Sequence, residues 1–430
     1  MDAANQSQSA TLHSAFRSKV IALIGSDHIH PASPADAVAG VQPKIVVAPG
    51  NETQLAEILR LSNEAGLAVI PRGGGTKLGW GNPPSRADLI LSTARLNQIT
   101  EHAWADLTVS VGAGCTIQKL QETLAQHGQR LALDPLWPEK ATVGGVLSTN
   151  DSGALRLRFG ALRDLIIGVT LALPDGTLAS SGGKVVKNVA GYDLPKLATG
   201  ALGTLGVITR AVFRLHPLPH NSRSFSILTA SPEDTQRLVL AIQDSKLAHT
   251  ALQSHFSDEG QPTSDILFEG TAAGLEAQAA QLRNLCQPAE ISETPATAWS
   301  ARPELWSISA PDETAIVKIS TLPADLACII ELFHRAAKSY GVRWKSLIYA
   351  TGLGWLRLER PAANLWRALT NLRSDLEKKD GSLVVLHRPA QMSSFDAWGT
   401  PGDAIPLMKA VKQQLDPKGT LNPGRFLAGI

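Results

Sequence analysis

Apolar residues along this chain recur in two rhythms, short unbroken or alternating runs and longer stretches spaced at three and four. Ile45 to Ala48 is a short apolar run. Asn51 then stands as a helix N-cap with Gln54 three residues on, and Leu55, Ile58 and Leu59 fall on one face. A second apolar run, Leu67 to Ile70, follows that helix, so this region reads as a small parallel strand-helix-strand unit. Leu165 to Leu173 and Thr177 to Ser180 flank Pro174-Asp175-Gly176, whose turn chemistry predicts a hairpin. Val207 to Leu215 predicts another strand, ended by Pro217 and Pro219, and the stretch from Leu218 to Asn221 reads as a domain boundary.

The pattern from Phe225 to about His387 occurs twice. Strand (225–229), helix (232–245), strand (249–256), strand (265–269) and helix (272–285) are echoed by strand (315–320), helix (323–339), strand (344–350), strand (354–359) and helix (361–377). Leu383 to His387 supplies a closing strand. Two ferredoxin-like units sharing one antiparallel sheet satisfy this order.

Between the regular runs lie two glycine-rich segments. The first is Pro71-Arg72-Gly73-Gly74-Gly75-Thr76, where consecutive glycines let the chain take positive φ and bring its amides close to a ligand. Successive N–H groups facing one concavity bind phosphate without a lysine. Gly74-Gly75-Thr76-Lys77-Leu78-Gly79 lacks the order of a P-loop. Gly79-Trp80-Gly81 runs into Asn82-Pro83-Pro84 and cannot open the helix that a Rossmann fingerprint needs. Arg72 either adds charge or is solvated beside the turn. In the second segment, Val143-Gly144-Gly145 allows tight backbone packing, and Ser148, Thr149 and Asn150 place short side-chain donors before Gly153. Either segment alone reads equally as a turn. Together they point to a long, flat, anionic ligand such as a dinucleotide.

These residues carry a resemblance. The chain resembles the FAD-linked oxidases of the vanillyl-alcohol oxidase type. Within them, the run Gly182 to Leu194 and the tail Asp416 to Arg425 resemble the FAD-binding subunit of bacterial glycolate oxidase. The motif-level similarity covers roughly residues 40 to 215 and 405 to 427. It implies an α+β fold: a two-part FAD-binding domain of the PCMH type and an antiparallel-sheet cap of duplicated ferredoxin-like units. The expected division is an N-terminal extension (1–37), the FAD domain (38–220), the cap (221–395) and a C-terminal segment (396–430) returning to the FAD domain. The resemblance further implies FAD contacts at Pro71 to Thr76, Leu78, Pro135, Val143, Gly144, Gly145, Ser148, Thr149, Asn150, Gly153 and Asn422. Gly206, Val207 and Ile208 are expected at the adenine end, and Lys187-Asn188 either approaches the flavin or holds its loop in place. Some relatives carry covalent flavin on a histidine after the first glycine loop or on a cysteine in the second. Thr76 to Gly79 and Ser148 to Asp151 contain neither residue, so FAD is expected to be held non-covalently.

Oxidising a 2-hydroxy acid needs a hydride acceptor, a base for the hydroxyl proton and cations for the carboxylate. The metal-binding histidine cluster of related hydroxy-acid dehydrogenases has no equivalent here, and the eleven histidines are scattered. His387 and Arg388 are the catalytic candidates, set against a strand-end histidine and a solvated cation; no metal site is expected. Cys115, Cys286 and Cys328 form no paired motif and read as small buried residues. Tryptophans 306, 344, 355 and 366 read as core or subunit-contact material.

Forty basic against thirty-eight acidic residues give a net charge of +2, which implies no polyanion partner such as nucleic acid. No apolar run reaches the length of a membrane span, and no secretory signal pattern opens the chain. The expected location is cytoplasmic, with any inner-membrane contact made through partners. The resemblance implies a complex with a homologous flavoprotein subunit and an iron–sulfur subunit, acting on glycolate. A self-sufficient 2-hydroxy-acid dehydrogenase and a non-catalytic flavin scaffold remain as alternatives.

Overall fold

The computed structural model describes residues 15–184, 191–287, 289–294 and 296–430. Residues 15–24 form a helix whose Phe16, Val20 and Ile24 pack into the core of the first unit. That unit is a four-stranded sheet in the spatial order Ile29–Pro31, Ile45–Val47, Leu89–Ser92, Val69–Arg72. The last three strands are mutually parallel. The middle strand, Leu89–Ser92, follows a loop rather than a helix, and its four residues are buried on both faces. The Glu52–Glu64 helix starts as its sequence dictates: Asn51 Oδ1 accepts from the Gln54 amide at 2.9 Å, and Leu55, Ile58 and Leu59 are buried. Pro71 does not end its strand, which continues to Arg72 at the sheet edge, where a missing N–H is tolerated.

A second sheet of five antiparallel strands runs in the order Ile99–Ala103, Thr108–Gly112, Val207–Arg214, Ile166–Ala172, Leu178–Gly182. The hairpin turns at Pro174-Asp175-Gly176, with Gly176 at φ 88°. The C-terminal tail returns to the first sheet. The Val69 amide donates to Thr420 O at 2.8 Å and the Asn422 amide to Val69 O at 3.0 Å, so the tail runs beside the strand that leads into the first glycine segment.

The cap is one eight-stranded antiparallel sheet ordered Glu290–Glu293, Asn221–Leu228, Thr263–Gly270, His249–Ser257, Arg343–Tyr349, Leu353–Glu359, Thr314–Ser320, Ser382–His387. Taken from each outer edge inward, both halves follow the same order of fourth, first, third and second strand. The two second strands pair at the centre, Gln253 opposite Tyr349. This is the duplicated ferredoxin-like arrangement of an α+β fold. Four helices cover one face over Phe225, Ile266, Val317 and Leu356. The opposite face carries Ala251, Leu347, Tyr349, Trp355 and Leu386, packed with Trp80 and Leu136 of the first part of the chain. The edge strand Glu290–Glu293 escapes the sequence reading because three of its four residues are polar and exposed, with only Ile291 half-buried.

Candidate functional site

The two glycine-rich segments meet. A β-carbon on Gly73 would lie 2.0 Å from Thr142 Oγ1, and one on Gly74 would lie 1.8 Å from Lys140 O. No side chain fits at either position. The second segment is not a turn, as its glycines suggested, but the helix Val143–Thr149, closed by Asn150 in the left-handed region at φ 49°. Gly144 lets that helix close on Ala113, where a β-carbon would meet Ala113 Cβ at 2.8 Å. Between the two segments opens a cleft.

Pro71, Arg72, Gly73, Gly74, Gly75, Thr76, Leu78, Gly144, Gly145, Ser148, Thr149, Gly206, Val207, Ile208 and Asn422 all line this cleft. Val143, Asn150, Pro135 and Gly153 are not among its lining residues. Val143 is 1% exposed in a hydrophobic core, because alternate faces of a helix point in opposite directions. The Gly153 amide donates to Asp134 Oδ1 at 3.0 Å, one residue before Pro135, away from the cleft. The sequence reading had passed over Lys77, Thr93, Thr142, Leu202, Gly203 and Arg425, which also contribute. For Arg425 a signal existed, since it closes the tail that carries the resemblance. Lys187 and Asn188 fall outside the described residues. Arg72 is ion-paired with Asp36 and holds that carboxyl down to about 2, so its charge is already answered.

Both model-matched regions contribute to this cleft. The FAD binding domain family model matches residues 43–182, and the model described as FAD linked oxidases, C-terminal domain, matches residues 400–426. The glycolate oxidase subunit GlcD of Bacillus subtilis is 25% identical over 90% of this chain and 89% of its own length. The D-lactate dehydrogenase of Archaeoglobus fulgidus is 35% identical over 46% of this chain and 44% of its own. A solved structure of p-cresol methylhydroxylase shares the fold, with a TM-score of 0.78 and 14% identity over 96% of both chains. Two regions of the chain thus match family models of the FAD-linked oxidases. The chain is an FAD-dependent oxidoreductase.

The cleft suits FAD. Thr142 Oγ1 and Asn422 Oδ1 are buried without a hydrogen-bond partner among the described residues, and buried polar atoms are ordinarily satisfied. Asn422 is held at φ 45° with its amide nitrogen donating to Leu202 O at 2.5 Å, leaving the carbonyl oxygen free for a ligand donor. Arg425 is 3% exposed, and among the described residues its guanidinium donates only to the carbonyls of Leu78 and Trp80. Burial pushes its guanidinium down to about 10, so an anion in the cleft offsets a real desolvation cost. Neither Thr76–Gly79 nor Ser148–Asp151 contains a histidine or cysteine. Acid precipitation of the holoprotein is therefore expected to release all the flavin into the supernatant; yellow colour in the washed pellet would contradict this.

At the Lys77 end the cleft reaches the cap through a buried ion network. Asp151 lies beside Lys77 Nζ at 3.2 Å and Arg302 NH1 at 2.8 Å, with all three side chains at most 4% exposed. Arg302 also donates to Ser152 O at 2.9 Å and Asp134 O at 2.6 Å, and its guanidinium lies 5.0 Å from the Trp355 ring. Burial alone would raise the Asp151 carboxyl, but Arg302 and Lys77 overcome it and hold it below the usual carboxylate range. Burial raises Asp134 despite Arg302, and pushes the nearby Lys318 down to about 8. Trp306, next to this network, stacks on Trp80 at 6.0 Å and meets Trp137 edge-on at 5.2 Å.

His387 and Arg388 are not brought to the cleft. A register shift separates His387, paired with Ile316, from the rest of its strand pairing, and burial lowers its imidazole. Arg388 is only within long reach of Gly81 O, at 3.5 Å, and of Ser393 O. Cys115 is buried, and burial raises its thiol against the opposing charge of Lys119. Cys286 is buried, whereas Cys328 is half-buried. Trp344 and Trp355 are core; Trp366 is exposed. Among the described residues, no helix is long and apolar enough to cross a membrane.

Proposed function

We propose that this chain is the FAD-binding subunit of a complex that oxidises a small 2-hydroxy acid, with glycolate going to glyoxylate. Electrons pass through flavin to an iron–sulfur subunit, beside a homologous flavoprotein subunit. Cofactor binding falls to residues 38–220 and 396–430, and residues 221–395 form the cap that faces substrate or partner. The complex sits in the cytoplasm, with membrane contact made by its partners. The supporting observation is similarity to a glycolate oxidase subunit along nine-tenths of both chains, together with a cleft to which both model-matched regions contribute.

The similarity to a D-lactate dehydrogenase over 46% of this chain favours a second reading, a self-sufficient hydroxy-acid dehydrogenase. Anaerobic mixing separates the two. Flavin bleaching by glycolate in the assembled complex, but not in the isolated chain, supports the subunit. Bleaching by glycolate or D-lactate in the isolated chain supports the self-sufficient enzyme. An assembled complex that no hydroxy acid bleaches counts against both.

A further inference from the structure

The Asp151 carboxylate is placed as a bound acid would be. Both oxygens are held: Oδ1 by Arg302, Oδ2 by Lys77 and by the Leu136 amide at 2.9 Å. Arg302 comes from the Ala301–Leu305 helix, which lies in the linker between the two cap repeats. Lys77 comes from the end of the first glycine segment, and Asp151 follows the second. Two cations from opposite sides of the junction thus converge on one internal carboxylate. The remaining guanidinium contacts go to backbone carbonyls, and Trp355 covers one of its faces. Trp80, Trp137 and Trp306 wall the same space. Both N–H groups of Arg302 NH1, the nitrogen that faces Asp151, and one of NH2 are thus committed, so NH1 has none left for a second carboxylate.

We infer that Asp151 is an internal carboxylate occupying the anion position between Arg302 and Lys77, and that it closes the junction of cap and cleft to an acid substrate. This rests on the reading that the chain works within a hydroxy-acid oxidising complex. It adds that the acid is oxidised in another chain of that complex. A lone buried Arg–Asp pair is also a common structural tie, but here a second cation and a backbone amide complete the full coordination of a small carboxylate.

The test is titration of the FAD-loaded protein with oxalate, read as perturbation of the flavin absorbance band. The native holoprotein is expected to show no change. The Asp151→Asn protein, which keeps an oxygen for the Leu136 amide, is expected to bind oxalate at least about tenfold more tightly than native, a difference worth roughly 1.4 kcal/mol. The Asp151→Glu protein, which keeps a carboxylate, is expected to stay silent. Oxalate perturbing the native flavin overturns the inference, whatever the variants do. An Asp151→Asn holoprotein that binds FAD yet ignores oxalate also overturns it. Failure of the complex to be bleached by glycolate would sink the functional reading and leave this titration unaffected, so the two failures are distinguishable.

Discussion

The Gly74→Ala protein is expected to purify colourless. A methyl group there falls 1.8 Å from Lys140 O, far inside any contact distance, and the obstacle is backbone rather than a yielding side chain. The loop must move away from the 140–142 segment, which separates the amides of the two glycine-rich stretches. Forcing extra volume into packed structure costs about 1–3 kcal/mol, and at the upper end a loss of that size in binding weakens affinity on the order of 100-fold. Gly79→Ala is the control, because nothing lies within 4 Å of its β-carbon and its backbone is not left-handed. Flavin content per polypeptide and FAD titration of the apoprotein check both. A yellow Gly74→Ala protein with native affinity would contradict the cleft.

The second large effect is on stability. Arg302→Met removes the donor shared by Asp151, Ser152 O and Asp134 O, leaving Asp151, 2% exposed, with Lys77 as its one cation beside the Leu136 amide. Breaking a buried ion pair from one side costs about 3–5 kcal/mol, which for a chain of this size lowers Tm by about 3–6 °C. The pH dependence has a definite sign. The folded Asp151 carboxyl lies below its ordinary value, so its contribution is present above the unfolded pKa near 3.8 and is lost as pH falls through the folded value. In the variant the carboxyl takes up a proton more readily. The gap between native and Arg302→Met thermal midpoints should therefore be widest near neutrality and narrow below about pH 4. A gap that stays constant across that range would remove Asp151 from the explanation.

The repeat in the cap was legible because each strand and helix buries a face of its own, and that imprints period on sequence. The strand Leu89–Ser92 was not, since it follows Arg86-Ala87-Asp88 without a helix to announce it, and four buried residues carry no alternation. The first glycine segment could be read from composition, because only glycine fits against Lys140 and Thr142. The helical state of Val143–Thr149 could not, because two adjacent glycines weaken helix propensity and only packing on Ala113 restores it. Lys77, Asp151 and Arg302 look like ordinary surface charges in sequence. Their convergence depends on the cap folding onto the cofactor unit, a long-range event that leaves no local pattern.

The central claim is that two glycine-rich segments, distant in sequence, hold one FAD between them. A crystal structure of the protein with FAD bound tests it most directly. The account predicts the diphosphate within hydrogen-bond reach of main-chain amides in Gly73–Thr76 and in contact with the Gly144–Ser148 stretch, one end of the dinucleotide beside Gly206–Ile208 and the other toward Lys77 and Arg425. Density for FAD elsewhere on the molecule, or a diphosphate touching only one of the two segments, would contradict it.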